Sequence, residues 1–166
     1  MKRRTAGAVF LTGALLGLAP AARAQDTAAP ANYVAGFLGT TLAYRPPGGD
    51  WDGWQHDGTV LLGYGRYVSA SVAFELDAGP TFVSGDYASF ALVPGVVWVV
   101  HPNVYLAGRF VVPVDPEWNL VLFPGVGLSR TFGRVTPILE VNLSSAVGRG
   151  NPDLGVALTA GVLVAF

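Results

Sequence analysis

The chain has 166 residues, of which 51% are hydrophobic and only 13% are charged, and its formal net charge is −1. Soluble domains usually carry ~25% charged residues, so this composition is unusual for a protein surrounded by water. There is no Cys, which excludes disulfides and thiolate metal sites. The sequence has no basic patch, and this argues against nucleic-acid binding.

The first residues predict a secretory signal peptide. Met1-Lys2-Arg3-Arg4 is positively charged, and Ala6 to Leu18 is apolar without a charge. Ala22-Arg23-Ala24 then supplies the small residues of a cleavage site before Gln25. The apolar run is shorter than the ~20 residues that a membrane-spanning helix needs, so a leader is favoured over an anchor.

The sequence therefore predicts three parts: a signal peptide at 1–24, a short periplasmic segment at 25–32 and one barrel domain at 33–166. The exported part keeps six Arg and no Lys against eleven acidic residues, a net charge of −5. It contains no uninterrupted run of about 18 apolar residues, so no helical membrane span is expected.

Turn-forming residues divide the exported chain into eight apolar segments, each near the ~9–11 residues of a tilted membrane strand or slightly longer. The segments are 33–44, 59–68, 72–83, 88–100, 104–114, 118–132, 136–147 and 154–166. A chain this small cannot bury so much apolar surface internally, whereas a closed barrel can expose it to lipid. The sequence therefore predicts an all-β, eight-stranded, antiparallel up-and-down transmembrane β-barrel. We expect short periplasmic turns, longer extracellular loops and both termini in the periplasm.

The last segment alternates strictly and ends the chain on an aromatic residue. One face is apolar throughout: Leu154, Val156, Leu158, Ala160, Val162, Val164 and Phe166. This stretch resembles the closing strand of Gram-negative outer-membrane barrels, and the whole layout is similar to the small outer membrane protein A, X and W group. The resemblance implies that Leu158, Val162, Val164 and Phe166 form the signal read by the barrel-assembly machinery, with periplasmic chaperones as further partners.

Alternation also places four charged side chains inside the barrel: Glu75, Asp77, Arg109 and Glu140. A charge on the lipid face at mid-membrane is unfavourable by ~2–4 kcal/mol for Arg. We expect Arg109 to neutralise the carboxylates, with Arg66 as a further cation. The interpretation that we favour is an ion-pair network that plugs the lumen, because eight strands leave room only for side chains. The alternative is a narrow passive channel for small solutes.

Aromatic residues near the strand ends predict two interfacial girdles. Those expected at the outer side are Tyr44, Tyr87 and Trp118, and those expected at the periplasmic side are Tyr33, Tyr67, Trp98, Phe132 and Phe166. Pro94 and Pro124 fall in mid-strand, where a Pro removes a ladder hydrogen bond. We expect bulges or kinks at these two positions.

Two further chemistries are weaker candidates. Asp50, Asp52 and Asp57 in the first loop offer oxygen ligands for Ca²⁺, but their spacing is not that of an EF-hand, and a solvated polar loop is favoured.

No cofactor is expected. We expect outer-membrane lipids and lipopolysaccharide as partners, and a monomer.

An enzymatic role is the remaining alternative. The segment Asn142-Leu143-Ser144-Ser145-Ala146, followed by Asn151-Pro152-Asp153, resembles over about a dozen residues the His-x-Ser-Asn segment of lipid A deacylases. Asn142 stands where that family has its general base. Without a base the hydroxyl is not activated. A palmitoyltransferase-like site would need His56, Ser84 and Asp86, and no motif supports it. We therefore expect a structural or surface-interaction role without catalysis.

Overall fold

A computed structural model describes residues 32–115, 120–147 and 153–166, and in it eight antiparallel strands form a closed barrel. The strands are β1 (Asn32–Arg45), β2 (Asp57–Tyr67), β3 (Val72–Val83), β4 (Asp86–His101), β5 (Val104–Asp115), β6 (Val121–Ser129), β7 (Val135–Ala146) and β8 (Leu154–Ala165). Each strand pairs with the next, and β8 pairs with β1. The predicted fold class and strand number are confirmed. The proposed signal peptide at 1–24 and most of segment 25–32 lie outside the described residues.

The alternation along strand β7 shows that the apolar face of the barrel points outward. Leu139, Val141 and Leu143 are about half exposed, whereas Glu140 and Asn142 between them are fully buried. Successive side chains of a strand point to opposite faces, so the polar positions face the lumen. A soluble ligand-binding barrel would have the opposite arrangement. In the part of the chain that the structure describes, no helix is long and apolar enough to cross a membrane.

The barrel has two distinguishable ends. The loop end carries the connections β1–β2, β3–β4, β5–β6 and β7–β8, and the terminus end carries Asn32, Phe166 and the other three turns. At the terminus end the turns are tight: the N–H groups of Val68 and Ser69 both donate to the carbonyl of Val72. Phe132 and Val135 exchange two backbone hydrogen bonds in the β6–β7 turn.

At Pro94 and Pro124, where the sequence predicts bulges or kinks, the structure has no bulge. Pro94 pairs with Leu76 and Pro124 pairs with Gly108, and the register is continuous through both pairs. A strand residue directs its N–H to one neighbour only, so a Pro interrupts the ladder on one side and leaves the other intact. Both rings lie on the outer face. The bulges occur elsewhere, for example between Thr41 and Ala43.

The faces of β1 and β2, which the sequence left ambiguous, are resolved by pairing. Tyr33, Ala35 and Phe37 are buried in the lumen. Arg66 is exposed and shares the outer face with Leu62 and Tyr64. Arg66 therefore lies on the opposite face from Arg109, and the prediction that it assists in the lumen is wrong. Neighbouring residues of a strand point to opposite faces. Gly65 pairs with the inward-facing Glu75 and also faces inward, so Arg66 next to it faces outward.

Candidate functional site

Arg109 on β5 lies at the centre of a buried cluster of charges. Its Nε donates to Oε1 of Glu75 on β3, and its Nη1 donates to Oε1 of Glu140 on β7. Asp77 is more distant, with its Oδ2 3.8 Å from Nε. The guanidinium lies 5.9 Å from the ring centroid of Phe37 on β1. Three non-adjacent strands are thus linked across the lumen by one cation.

Tyr33 extends this cluster toward the terminus end. Its hydroxyl donates to Oε2 of Glu75 at 2.9 Å, and the side chain is 3% exposed. The sequence analysis placed Tyr33 and Tyr67 among the interfacial aromatics, and this is wrong. Their rings lie 5.6 Å apart inside the barrel. The signal that could have revealed Tyr33 is the alternation with Ala35 and Phe37, which was masked because both faces of β1 are apolar.

Glycines on neighbouring strands make room for the large inward side chains. A Cβ at Gly65 would lie 2.0 Å from the ring of Tyr33, and one at Gly95 would lie 2.6 Å from Cγ of Arg109. In each case the two residues are direct cross-strand partners. The same relation joins Gly63 to Asp77, Gly125 to Asn142, Gly127 to Tyr105 and Gly161 to Phe37. Close packing of the lumen therefore depends on these glycines.

The lumen at the terminus end is filled by what we call the terminus-end cluster. Its buried members are Tyr33, Ala35, Phe37, Ala73, Tyr105, Ala107 and Ile138. Partly buried side chains such as Tyr67, Val97 and Leu163 pack against them. These side chains are nearly all apolar. They lie on the side of the Arg109 ion pairs that faces the termini, except Phe37, which lies at the level of Arg109.

The loop-end half of the lumen instead contains a cavity of about 240 Å³. Arg109, Asp77 and Glu140 line it together with Phe37, and its walls reach Asp57 at the start of β2. The remaining lining combines small or hydroxylated residues with aliphatic ones, including Thr59, Thr81, Thr159, Ala91, Ala157, Val93, Val111 and Val121. We call this space the loop-end cavity.

Several buried polar atoms in the lumen have no hydrogen-bond partner within the described protein. They are both carboxylate oxygens of Asp77, Oε2 of Glu140, Oδ1 of Asn142 and, at the terminus end, the hydroxyl of Tyr105. The amide nitrogen of Asn142 donates to Thr159 at 3.2 Å. Because three carboxylates face one guanidinium, the cluster of Glu75, Asp77, Glu140 and Arg109 has a formal excess of two negative charges.

The aromatic residues predicted for the two interfacial girdles differ in where their side chains lie. Trp98, Phe132 and Phe166 are each more than half exposed and lie near the terminus end. Tyr44 does not belong with them. The bulge in β1 places it opposite Gly155, an inward position, and its hydroxyl donates to Asp153 at 3.4 Å. Trp118 lies outside the described residues.

On the closing strand β8, Val162 and Val164 are exposed on the outer face, and Phe166, directly after the strand, is exposed as well. Leu158 shares that face, since it pairs with Val141 of β7. The continuous apolar face that suggested an assembly signal is therefore present on the outside of the barrel. Its recognition by the assembly machinery stays a prediction.

The three aspartates of the first loop, weak candidates for a Ca²⁺ site, differ in their surroundings. Asp57 accepts a hydrogen bond from the backbone N–H of Thr41 at 2.6 Å and another from the Thr41 hydroxyl at 2.5 Å. Asp50 and Asp52 are exposed. Across residues 32–115, 120–147 and 153–166, no group of three or more His, Cys, Asp and Glu side chains could hold a metal ion.

The residues of the enzymatic alternatives are distributed as follows. Asn142 is buried and Ser144 is half-buried on the inner face of β7. His56 is exposed with its ring 4.5 Å from that of Trp54, and its carbonyl accepts the N–H of Ser84 at 2.9 Å. Asp86 is exposed at the start of β4. His56 and Ser84 are thus joined through their backbones, by a contact that holds the first loop against the β3–β4 turn.

A solved structure described as "De novo design of transmembrane beta-barrels" is similar to this chain, with a TM-score of 0.54 and 13% sequence identity. The similarity covers 84% of this chain and 98% of the other. No protein-family model and no curated protein matches the chain. At this identity the similarity concerns the fold alone: the chain has the fold of a transmembrane β-barrel. Its resemblance to the outer membrane protein A, X and W group stays a prediction.

Proposed function

We propose that this chain is an integral protein of a Gram-negative outer membrane, with a structural or surface-interaction role and a lumen closed to solutes. The observation that carries the proposal is the set of ion pairs from Arg109 to Glu75 and Glu140 across the barrel. The terminus-end cluster lies below them and contributes an apolar layer. Water and ions would have to displace both layers to pass.

The outer surface supports the membrane part of the proposal. Mid-strand residues such as Leu62, Leu76 and Val126 are more than half exposed, which water would disfavour by about 25 cal/mol per Å² of apolar surface. In this proposal the loop end faces the cell exterior and both termini face the periplasm. Lipids and lipopolysaccharide contact the wall, the assembly machinery and chaperones handle the chain during export, and the barrel is a monomer.

The surface-interaction part draws on the first loop. Trp51 and Trp54 are each more than half exposed at the loop end. Arg45 lies 5.5 Å above the ring of Trp51, and Trp54 donates its indole N–H to Thr40 at 2.7 Å. Aromatic residues held in place at one end of a barrel suit contact with a lipid headgroup layer or a partner surface.

Heat-modifiable migration of the refolded protein on a gel tests whether the chain is a membrane barrel. Planar-bilayer conductance then tests closure. We expect wild-type protein to show no steady conductance, and Arg109→Ala to show discrete openings, because the variant removes the group that spans the lumen. Arg66→Ala is the matched control, since Arg66 is on the outer face. Steady conductance by wild type that Arg109→Ala leaves unchanged would favour the narrow channel instead.

A further inference from the structure

The loop-end cavity combines an excess of negative charge with unpaired acceptor atoms. Asp77 and Glu140 line it, and Arg109 is the single cation among its described lining residues. Glu75 already receives hydrogen bonds from Arg109 and Tyr33. Asp77 receives none, although it is only 1% exposed. Buried carboxylate oxygens without donors are unfavourable, so this site favours a ligand that brings positive charge and N–H groups.

The position of the unpaired atoms limits the chemistry of that ligand. Asp77 contributes two acceptors and Glu140 contributes one. A primary ammonium group has three N–H donors and no acceptor, which matches this set. A metal ion fits less well, since no group of metal-ligating side chains exists in the described part of the chain. A quaternary ammonium would bring charge but no donor.

The walls of the cavity indicate what is attached to the ammonium group. Val93 and Phe123 are the cross-strand partners of Asp77 and Arg109 and present apolar surface at the level of the charges. Val111 and Val121 continue this surface toward the loop end. A volume of about 240 Å³ is several times the ~30 Å³ that one water occupies in the liquid. A short aliphatic chain therefore fits beside the ammonium. Asp57 near the loop end adds a third carboxylate that attracts cations toward the opening.

We propose that the loop-end cavity binds a small primary alkylammonium ion, with its nitrogen held by Asp77 and Glu140 and its carbon chain against the valine walls. The site lies on the loop side of Arg109 and does not depend on whether the lumen is closed below it. Glu140 accepts a hydrogen bond from Arg109, whereas Asp77 lies 3.8 Å from Nε of Arg109 and receives no hydrogen bond from it. Asp77 is therefore the residue whose charge matters most for binding.

The test is isothermal titration calorimetry on the full refolded barrel in lipid nanodiscs, with n-butylammonium as the probe. We expect saturable binding of n-butylammonium, and binding at least tenfold weaker for n-butanol and for tetramethylammonium. 1,4-Diaminobutane is expected to bind at least as tightly as n-butylammonium, because its second ammonium lies toward Asp57. Equal affinity for tetramethylammonium and n-butylammonium would overturn the proposal, since N–H donation would then play no part.

Variants separate this site from general attraction to an acidic protein. Asp77→Asn keeps the shape and is expected to weaken n-butylammonium binding at least tenfold, while Asp86→Asn, outside the cavity, leaves it unchanged. Ala157→Val, which narrows the cavity without a change of charge, is expected to weaken binding severalfold. No binding to wild type, or equal loss in Asp77→Asn and Asp86→Asn, would overturn the proposal. If Asp77→Asn does not fold, the comparison of probes on wild type decides alone.

Discussion

The two halves of the lumen differ in how tightly their side chains are packed. At the terminus end, Tyr33, Phe37 and Tyr105 fill the space left by glycines on the next strand, and apolar contacts occupy the interior. At the loop end, Thr, Ala and Val line a cavity of about 240 Å³, and Asp77 has no donor. Arg109 lies where the two halves meet. The difference indicates that one half is filled by packed side chains and that the other leaves open space.

The largest effect is expected from removing the residue at this boundary. Arg109→Ala leaves Glu75, Asp77 and Glu140 together without a cation. Breaking a buried ion pair from one side is typically unfavourable by ~3–5 kcal/mol, and we expect the free energy of unfolding to fall by about that amount. Urea unfolding in lipid vesicles, followed by gel migration, measures it.

Arg66→Ala again serves as the control, because its exposed side chain should change the free energy of unfolding by no more than ~0.5 kcal/mol. A loss for Arg109→Ala as small as that of the control would show that the carboxylates do not depend on the guanidinium. The division of the lumen at Arg109 would then have no energetic basis.

A smaller effect distinguishes hydrogen bonds in the two halves. Tyr33→Phe removes a hydrogen-bond donor from Glu75, the ion-pair partner of Arg109, in the packed half. Hydrogen bonds to charged groups contribute ~1.5–3 kcal/mol. Thr159→Val removes the acceptor of Asn142 beside the cavity, where water can take its place. We expect a loss below ~1 kcal/mol there. Equal losses in urea unfolding would mean that water does not reach the cavity.

The alternation of polar and apolar residues was enough to predict the strands and several faces. Glu140 and Asn142 separate from Leu139 and Val141 by position alone, and the structure has the same separation. The prediction succeeded there because a charge on the lipid face is strongly unfavourable. For these strands a single pattern determines both the register and the inward residues.

The wrong predictions concern residues where the alternation of polar and apolar side chains is weak, or where cross-strand pairing decides which way a side chain points. Both faces of β1 are largely apolar, so Tyr33 could not be distinguished from an interfacial aromatic. A bulge that no local residue signals shifts the parity of Tyr44. The matching of Gly65 with Tyr33, and of Gly95 with Arg109, depends on cross-strand register rather than on local sequence. The distinction between packed and open halves therefore emerged only from the closed barrel.

The same substitution, made once in each half of the lumen, tests the distinction between the packed and the open half with the smallest change of chemistry. Ala107 belongs to the terminus-end cluster and Ala157 lines the loop-end cavity, and both are nearly buried. Ala→Val adds two methyl groups at each position. Overpacking a filled interior is unfavourable by ~1–3 kcal/mol, so Ala107→Val should lower the free energy of unfolding by that amount.

In the cavity the same methyl groups meet open space and gain contacts with neighbouring side chains. Ala157→Val should therefore leave the free energy of unfolding unchanged or raise it slightly, by up to ~1 kcal/mol. Ala73→Val and Ala91→Val repeat the comparison on other strands, since Ala73 is in the cluster and Ala91 lines the cavity. Equal destabilisation within both pairs would show that the loop-end half is as tightly packed as the terminus end. The cavity would then lack the room that a ligand requires.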